Sequence, residues 1–243
     1  MGLVREFYGS TVGKKVAMAV SGLVLVLFVI GHMAGNLKVF AGIDPSTGDY
    51  KIDDYGVFLR TMGSEMFGKE GVLWIVRVVL LACVVIHALS GIQLARLNRR
   101  AKPQKYQVSS YKSANAASRT MLYGGLFLIV FITFHILHFT TGTLHFSGFV
   151  HGQVYANVYS GFQNVVTAGF YVVSMALLYL HLYHGTWSMF QTLGVDTPHW
   201  NKGIRNGAKL VAVATFLGFS CVPVGIAVGA FPAPVETRAP AGH

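Results

Sequence analysis

Five long runs of apolar residues, separated by polar segments, set the pattern of this 243-residue chain. Each run is long enough to cross the hydrocarbon core of a bilayer, which takes about 20 helical residues. None alternates as a strand would, and a backbone in lipid must satisfy its own hydrogen bonds. The pattern therefore predicts an all-α membrane protein with five transmembrane helices. These predicted spans I to V cover residues 15–40, 71–97, 120–142, 165–192 and 207–230.

The composition agrees with a membrane protein. Hydrophobic residues make up 53% of the chain and charged residues 12%, whereas about a quarter of a soluble domain is charged. The net charge of +10 does not indicate nucleic-acid binding, because the basic residues lie between apolar runs. Residues 1–230 are predicted to form one membrane domain without an internal repeat, and residues 231–243 a Pro-rich, disordered tail.

The polar segments also predict how the chain is oriented. Lys and Arg are in excess before span I, between spans II and III, and between spans IV and V. The I–II segment is richer in acids, and the III–IV segment has no charged residue. The positive-inside rule then places the N-terminus in the cytoplasm and the C-terminus outside. Span I is too long for the apolar part of a signal peptide, so it is predicted to be a retained helix.

Four of the five spans carry histidines far from their ends. They are His32 in span I, His87 in span II, His135 and His138 in span III, and His181 and His184 in span IV. A polar ring in hydrocarbon must find a partner. A single such histidine could simply form a hydrogen bond with a neighbouring helix. Histidines on four spans instead predict a helical bundle around two haems, each held by two imidazoles, which suits electron transfer.

The depth of the histidines predicts how they pair. Counting about 1.5 Å per residue from the basic span ends puts His32 and His135 in the outer half of the membrane. The same count puts His87 and His181 in the inner half. Spans I and III would thus supply one pair of ligands, and spans II and IV the other. The second ring nitrogen of each ligand is expected to donate to a carbonyl one turn back along its helix.

Spacing alone does not choose between the two histidines of span III or of span IV. His135 and His138 are three residues apart, as are His181 and His184, so both members of each couple share a helix face. The spare histidine of each couple could meet a haem propionate, meet a quinone, or satisfy packing. Among the histidines outside the spans, His145 and His151 are predicted to be solvated loop residues.

Three segments resemble the single-chain, di-haem cytochrome b subunits of succinate dehydrogenase and fumarate reductase. They are GKKVAMAVSGLVLVLFVIGHMAGNL (13–37), ASRTMLYGG (117–125) leading to FHILHF (134–139), and HLYHGTWSMFQTLG (181–194). The resemblance covers about residues 8–230. It implies a five-helix membrane anchor with one haem ligand on each of the first four helices. The residues that match the family's ligands are His32, His87, His135 and His181. On span IV, Gly185 and Gly194 match the family's glycine spacing if His181 is the ligand.

The resemblance also implies a place in a larger enzyme of the bacterial cytoplasmic membrane. A flavoprotein subunit with FAD would oxidise succinate, and an iron–sulfur subunit would pass electrons to this chain. The chain itself would not act on succinate but would carry electrons through two haems b to a quinone, commonly menaquinone in this family. The direction of catalysis stays open. The alternatives are a di-haem cytochrome b of a hydrogenase or formate dehydrogenase, and a haem-free transporter.

The chain departs from part of the family in its acidic residues. No Asp or Glu lies within the five spans. Some fumarate-reducing relatives have a glutamate where Tyr179 stands here, so a carboxylate relay inside the bundle is not predicted. Glu65 and Glu70 are weak candidates for moving protons near a quinone, since a nearby carboxylate can do so. Arg77 is a candidate partner of a haem propionate, or it extends to the membrane interface.

Overall fold

The computed structural model describes residues 2–101 and 116–235, and all regular structure in these ranges is helical. Long, uninterrupted apolar runs form helices in a membrane because lipid offers the backbone no hydrogen-bond partners. The elements are α1 (Gly2–Gly9), α2 (Thr11–Asn36), a 3₁₀ helix (Leu37–Ala41), α3 (Lys51–Thr61), α4 (Ser64–Phe67), α5 (Gly71–Arg100), α6 (Ala116–Phe139), α7 (Val154–Gln163), α8 (Val165–Thr192) and α9 (Asn201–Ala227).

Five of these helices are long and apolar enough to cross a membrane: α2, α5, α6, α8 and α9. This confirms the prediction of an all-helical, five-span chain, which is the fold of a multi-pass membrane protein. Helix α8 has the predicted bounds of span IV. Helix α2 begins at Thr11, before the predicted start, and so includes Lys14 and Lys15. Lysine favours helix, and its long side chain can reach the interface from a helix end.

The surface of α5 shows what these helices present to their surroundings. Large apolar side chains on it are exposed, among them Val78 (62%), Leu81 (66%) and Leu89 (49%). A soluble helix of this composition would bury such residues, whereas lipid solvates them at no cost. The exposed apolar face of α5 is therefore typical of a helix that contacts lipid.

The chain divides into two compact units. Unit 1 comprises Met1–Val29, Val79–Leu128 and Leu177–Val213. Its tightest positions are small side chains, with Ser90 and Ala212 at 0% exposure and Ala208 at 1%. Small residues let helix backbones approach closely, which is how membrane helices gain packing energy. Unit 1 contains His87 and His181.

Unit 2 comprises Ile30–Val78, Ile129–Ala176 and Ala214–His243, and it contains His32 and His135. It also holds the short helices α3, α4 and α7. The rings of Tyr50 and Tyr155 stack at 3.8 Å, and the Tyr155 N–H donates to Asp53 Oδ1 at 2.9 Å. Burial raises the pKa of the Asp53 carboxyl, and this backbone N–H acts in the opposite direction.

The start of the predicted tail is held against these tyrosines. The Tyr155 hydroxyl donates to the Pro232 carbonyl at 2.9 Å, and the Val235 N–H donates to the Tyr50 hydroxyl at 3.1 Å. Residues 236–243 of the tail lie outside the described residues. So do Lys102, Lys105 and Lys112 of the basic II–III segment.

Candidate functional site: two histidine pairs

The first pair joins His87 of α5 to His181 of α8. Their ring centroids are 6.0 Å apart, and the ring planes cross at 63°. His87 Nδ1 lies 3.0 Å from the carbonyl oxygen of Met18 on α2. A carbonyl can only accept, so the proton of the neutral ring sits on Nδ1 and the Nε2 lone pair is free for a metal. The Met18 carbonyl thus fixes the tautomer of His87.

Two glycines on neighbouring helices face the rings of this pair. A Cβ on Gly22 of α2 would lie 3.2 Å from His87 Cε1, and a Cβ on Gly125 of α6 would lie 3.4 Å from His181 Cε1. Any larger side chain at these positions would push on the imidazoles. His181 Nδ1 is buried and has no hydrogen-bond partner among the described residues.

The second pair joins His32 of α2 to His135 of α6. Their ring centroids are 5.9 Å apart, with the ring planes at 79°. His135 Nδ1 lies 3.2 Å from the hydroxyl of Tyr171 on α8, and the Phe219 ring packs 5.8 Å from His32. The prediction that the second ring nitrogen donates to a carbonyl one turn back along the same helix is wrong for His87 and His135. Both instead use a partner from another helix, the Met18 carbonyl for His87 and the Tyr171 hydroxyl for His135.

The spare histidine of α6 belongs to a cluster around Tyr171. His138 is fully buried, and its Nδ1 lies 3.0 Å from the Tyr171 hydroxyl. The His145 ring stacks on His138 at 4.9 Å, and its Nε2 shares a hydrogen bond with Ser160 Oγ at 2.9 Å. His145 is a loop residue, as predicted, but it is partly buried rather than fully solvated. Burial lowers the pKa of His145. His151 is exposed, which agrees with its prediction.

The spare histidine of α8 packs differently. His184 meets the ring of Trp187 edge to face at 5.9 Å, and its Nδ1 is buried without a partner among the described residues. Trp187 in turn donates through Nε1 to Asp196 Oδ2 at 3.2 Å and stacks under the Arg205 guanidinium at 3.8 Å. His184 is thus anchored towards the end of α8.

The centroid separation within each pair matches that of two imidazoles that would bind one iron. A metal–imidazole bond is about 2 Å long and the ring centroid lies about 1 Å further back, so trans ligands have centroids roughly 6 Å apart. The observed separations are 5.9 and 6.0 Å. The described residues hold no group of three or more His, Cys, Asp or Glu placed to bind a metal ion. A bis-imidazole haem needs no such group, since the porphyrin supplies the other four nitrogens.

The acidic candidates before α5 are engaged elsewhere. Glu70 pairs with Arg60 at 3.4 Å and with Arg77 at 3.9 Å, and each of these side chains is about one-third exposed. The Arg77 guanidinium also stacks over Trp74 at 4.8 Å. Glu65 is exposed in the first turn of α4. Within the described residues, Arg77 therefore has a protein carboxylate as its partner, and its contact with a propionate stays a prediction.

The sequence reading missed the residues that support the rings. One signal for them is a spacing that recurs: Met-x₃-Gly-x₉-His occurs at 18–32 and again at 121–135. Likewise His-x₃-Gly occurs at 87–91 and at 181–185. The contacts recur as well, because a Cβ on Gly91 would lie 3.8 Å from Met18 Sδ and one on Gly185 would lie 3.8 Å from Met121 Cε. The spacing and the contact thus recur together at the two positions.

Comparison with known proteins adds no family assignment. No protein-family model matches the chain, and neither does any curated protein or any solved structure.

Proposed function

We propose that this chain is the membrane-anchor cytochrome b subunit of a succinate:quinone oxidoreductase, with one haem b on the His32–His135 pair and another on the His87–His181 pair. The observation that carries the proposal is the ring separation of both pairs, 5.9 and 6.0 Å, at which the two imidazoles of each pair could hold one iron. The resemblance of residues 13–37, 117–139 and 181–194 to that family supports the choice of enzyme.

The surrounding residues have distinct roles in this proposal. The Met18 carbonyl holds the proton of His87 on Nδ1, which leaves Nε2 to bind iron. Gly22 and Gly125 leave room for the rings of His87 and His181. Tyr171 holds His135 through its Nδ1. When bound, a haem b with two imidazole ligands has no open position and supplies one-electron transfer.

The orientation, the partners and the membrane follow from the charge pattern and the resemblance. The Lys- and Arg-rich segments face the cytoplasm by the positive-inside rule. On that side they meet an iron–sulfur subunit, which a flavoprotein subunit with FAD supplies with electrons. The acceptor is a quinone in the lipid, of the menaquinone class, and the membrane is the bacterial cytoplasmic membrane. The chain takes part in the enzyme as its electron-transfer and quinone-reactive subunit.

The proposal is tested by purifying the protein from membranes with its associated subunits. A pyridine haemochrome assay should give two haems b per chain, and the preparation should contain covalently bound FAD. Two haems without a flavoprotein that oxidises succinate would instead indicate the cytochrome of another oxidoreductase, such as a hydrogenase. A preparation without haem b would contradict the haem sites and favour a haem-free transporter.

A further inference from the structure

The Tyr171 hydroxyl lies between two histidine nitrogens. It is 3.2 Å from His135 Nδ1 and 3.0 Å from His138 Nδ1. A tyrosine hydroxyl carries one proton, so it can donate to only one of the two and must accept from the other. The direction of this short chain of hydrogen bonds is therefore coupled to the tautomers of both histidines.

Ligation of iron by His135 selects one of the two directions. If Nε2 binds the metal, the proton of the neutral ring is on Nδ1, and His135 donates to the Tyr171 oxygen. Tyr171 then donates to His138 Nδ1, and the proton of His138 sits on Nε2, which is buried without a hydrogen-bond partner among the described residues. The opposite direction would need a lone pair on His135 Nδ1 and a proton on Nε2, where it would block the metal.

Tyr171 is well placed to impose this arrangement. Its side chain is 6% exposed, and the rings of Phe131 and Phe162 pack edge to face on it at 5.1 and 4.9 Å. Its two partners are held as well, since His138 is fully buried and stacks with His145. A hydroxyl fixed by packing keeps its bonds in one geometry at little further cost in entropy.

We propose that Tyr171 is a positioning residue that accepts a hydrogen bond from His135 and donates one to His138, and so orients His135 and tunes the group bound to it. This inference rests on the proposed haem on the His32–His135 pair. An imidazole that donates from Nδ1 becomes a more basic ligand, which stabilises the oxidised metal. Removing the acceptor should therefore raise the reduction potential of that haem alone.

The test is Tyr171→Phe in the assembled membrane enzyme, with Tyr159→Phe as the matched control. Tyr159 lies in the same unit, and its ring stacks on Tyr155 at 6.5 Å. A stepwise redox titration followed by visible spectra resolves the two haems, and low-temperature EPR follows their low-spin signals. The titration step that His135→Ala removes identifies the haem concerned.

The expected result for Tyr171→Phe is two retained haems, a shift of the identified haem to higher potential, a changed EPR signal for it, and no change in the other haem. A shift to lower potential would overturn the assigned direction, since losing the acceptor of the His135 Nδ1–H can only make that ligand less basic. Unchanged potentials and EPR signals would overturn the role altogether.

A second variant keeps the proposal testable if Tyr171→Phe does not assemble. His138→Phe removes the acceptor of the Tyr171 hydroxyl and leaves the His135–Tyr171 bond, so it should give a smaller shift in the same direction. A shift in the opposite direction would contradict the proposal. Wild-type protein that binds no haem b would instead refute the proposed function. Failure of the proposed function can therefore be distinguished from failure of the proposed role of Tyr171.

Discussion

The two histidine pairs have the same ring separation but different surroundings. The His87–His181 pair is supported by a backbone carbonyl on one ring and by a glycine against each ring. The His32–His135 pair is supported by a buried tyrosine that it shares with a third histidine. Hydrogen bonding to a ligand is one means by which a protein can give two identical cofactors different potentials, so these unequal surroundings predict unequal potentials if each pair holds a haem. The comparison indicates that a backbone carbonyl and packing orient the rings of the His87–His181 pair, whereas side-chain hydrogen bonds orient His135 in the other pair.

The largest effect is expected from removing a ligand. His181→Ala should abolish the haem of the His87–His181 pair and leave the other, so the haem content falls from two per chain to one. His184→Ala should keep both haems, because His184 packs on Trp187. Haem content and the redox titration measure both outcomes. Loss of a haem in His184→Ala but not in His181→Ala would show that the ligand of α8 is assigned wrongly.

The second-largest effect is expected from a bulky side chain at position 125, in place of Gly125. The γ-methyl groups in Gly125→Val would reach into the His181 ring, since the Cβ alone would already lie 3.4 Å from it. Overpacking of this kind costs about 1–3 kcal/mol, so occupancy of the His87–His181 pair should fall while that of the His32–His135 pair stays. Gly124→Val is the matched control, as nothing lies within 4 Å of a Cβ at Gly124. Equal losses in both variants would contradict the ring contact.

The contrast between these glycines shows where sequence reasoning succeeded and where it stopped. Long apolar runs predicted the five helices, because lipid leaves the backbone no other choice. Gly124 and Gly125 are adjacent in the sequence, yet only Gly125 meets a ring. That difference depends on how α6 is rotated against α8; the recurring Met-x₃-Gly-x₉-His spacing marks Gly125 but does not tell which ring it faces. The partner of His87 is likewise set by the position of α2 beside α5.

The sequence did not predict the short helices outside the spans, and the physical reason here is different. Helices α3 and α7 have 11 and 10 residues. Isolated helices of this length are marginal in water, and tertiary packing stabilises them. Tyr155 shows this packing, since it stacks on Tyr50 and donates to Asp53. The partial burial of His145 was missed on the same ground, because its stacking on His138 joins residues of different segments.

A milder change at Gly22 sharpens the comparison. A Cβ in Gly22→Ala would lie 3.2 Å from His87 Cε1 and 3.3 Å from its Nδ1, so the ring must shift by a few tenths of an ångström. The bond from Nδ1 to the Met18 carbonyl should weaken, at a cost of about 1 kcal/mol. We expect both haems to be retained and the EPR signal of the haem on the His87–His181 pair to change. Gly169→Ala, with open space at its Cβ, should change neither signal.

The smallest effect is expected at the far end of the Tyr171 cluster. Ser160→Ala removes the hydrogen bond to His145 Nε2, which contributes about 1 kcal/mol to local stability. On heating, the visible absorption of the haem proposed on the His32–His135 pair should be lost at a slightly lower temperature than in the wild type. The absorption of the haem proposed on the other pair should be lost at the wild-type temperature. Equal shifts for both pairs would mean that the cluster has no particular link to the His32–His135 pair.

The central claim is that each histidine pair holds one haem b. The most direct measurement is a stepwise redox titration of the purified protein, followed by visible spectra, together with His135→Ala and His181→Ala. The account predicts two one-electron transitions in the wild type, with a different one missing in each variant. A wild type without haem b, or two variants that lose the same transition, would contradict it.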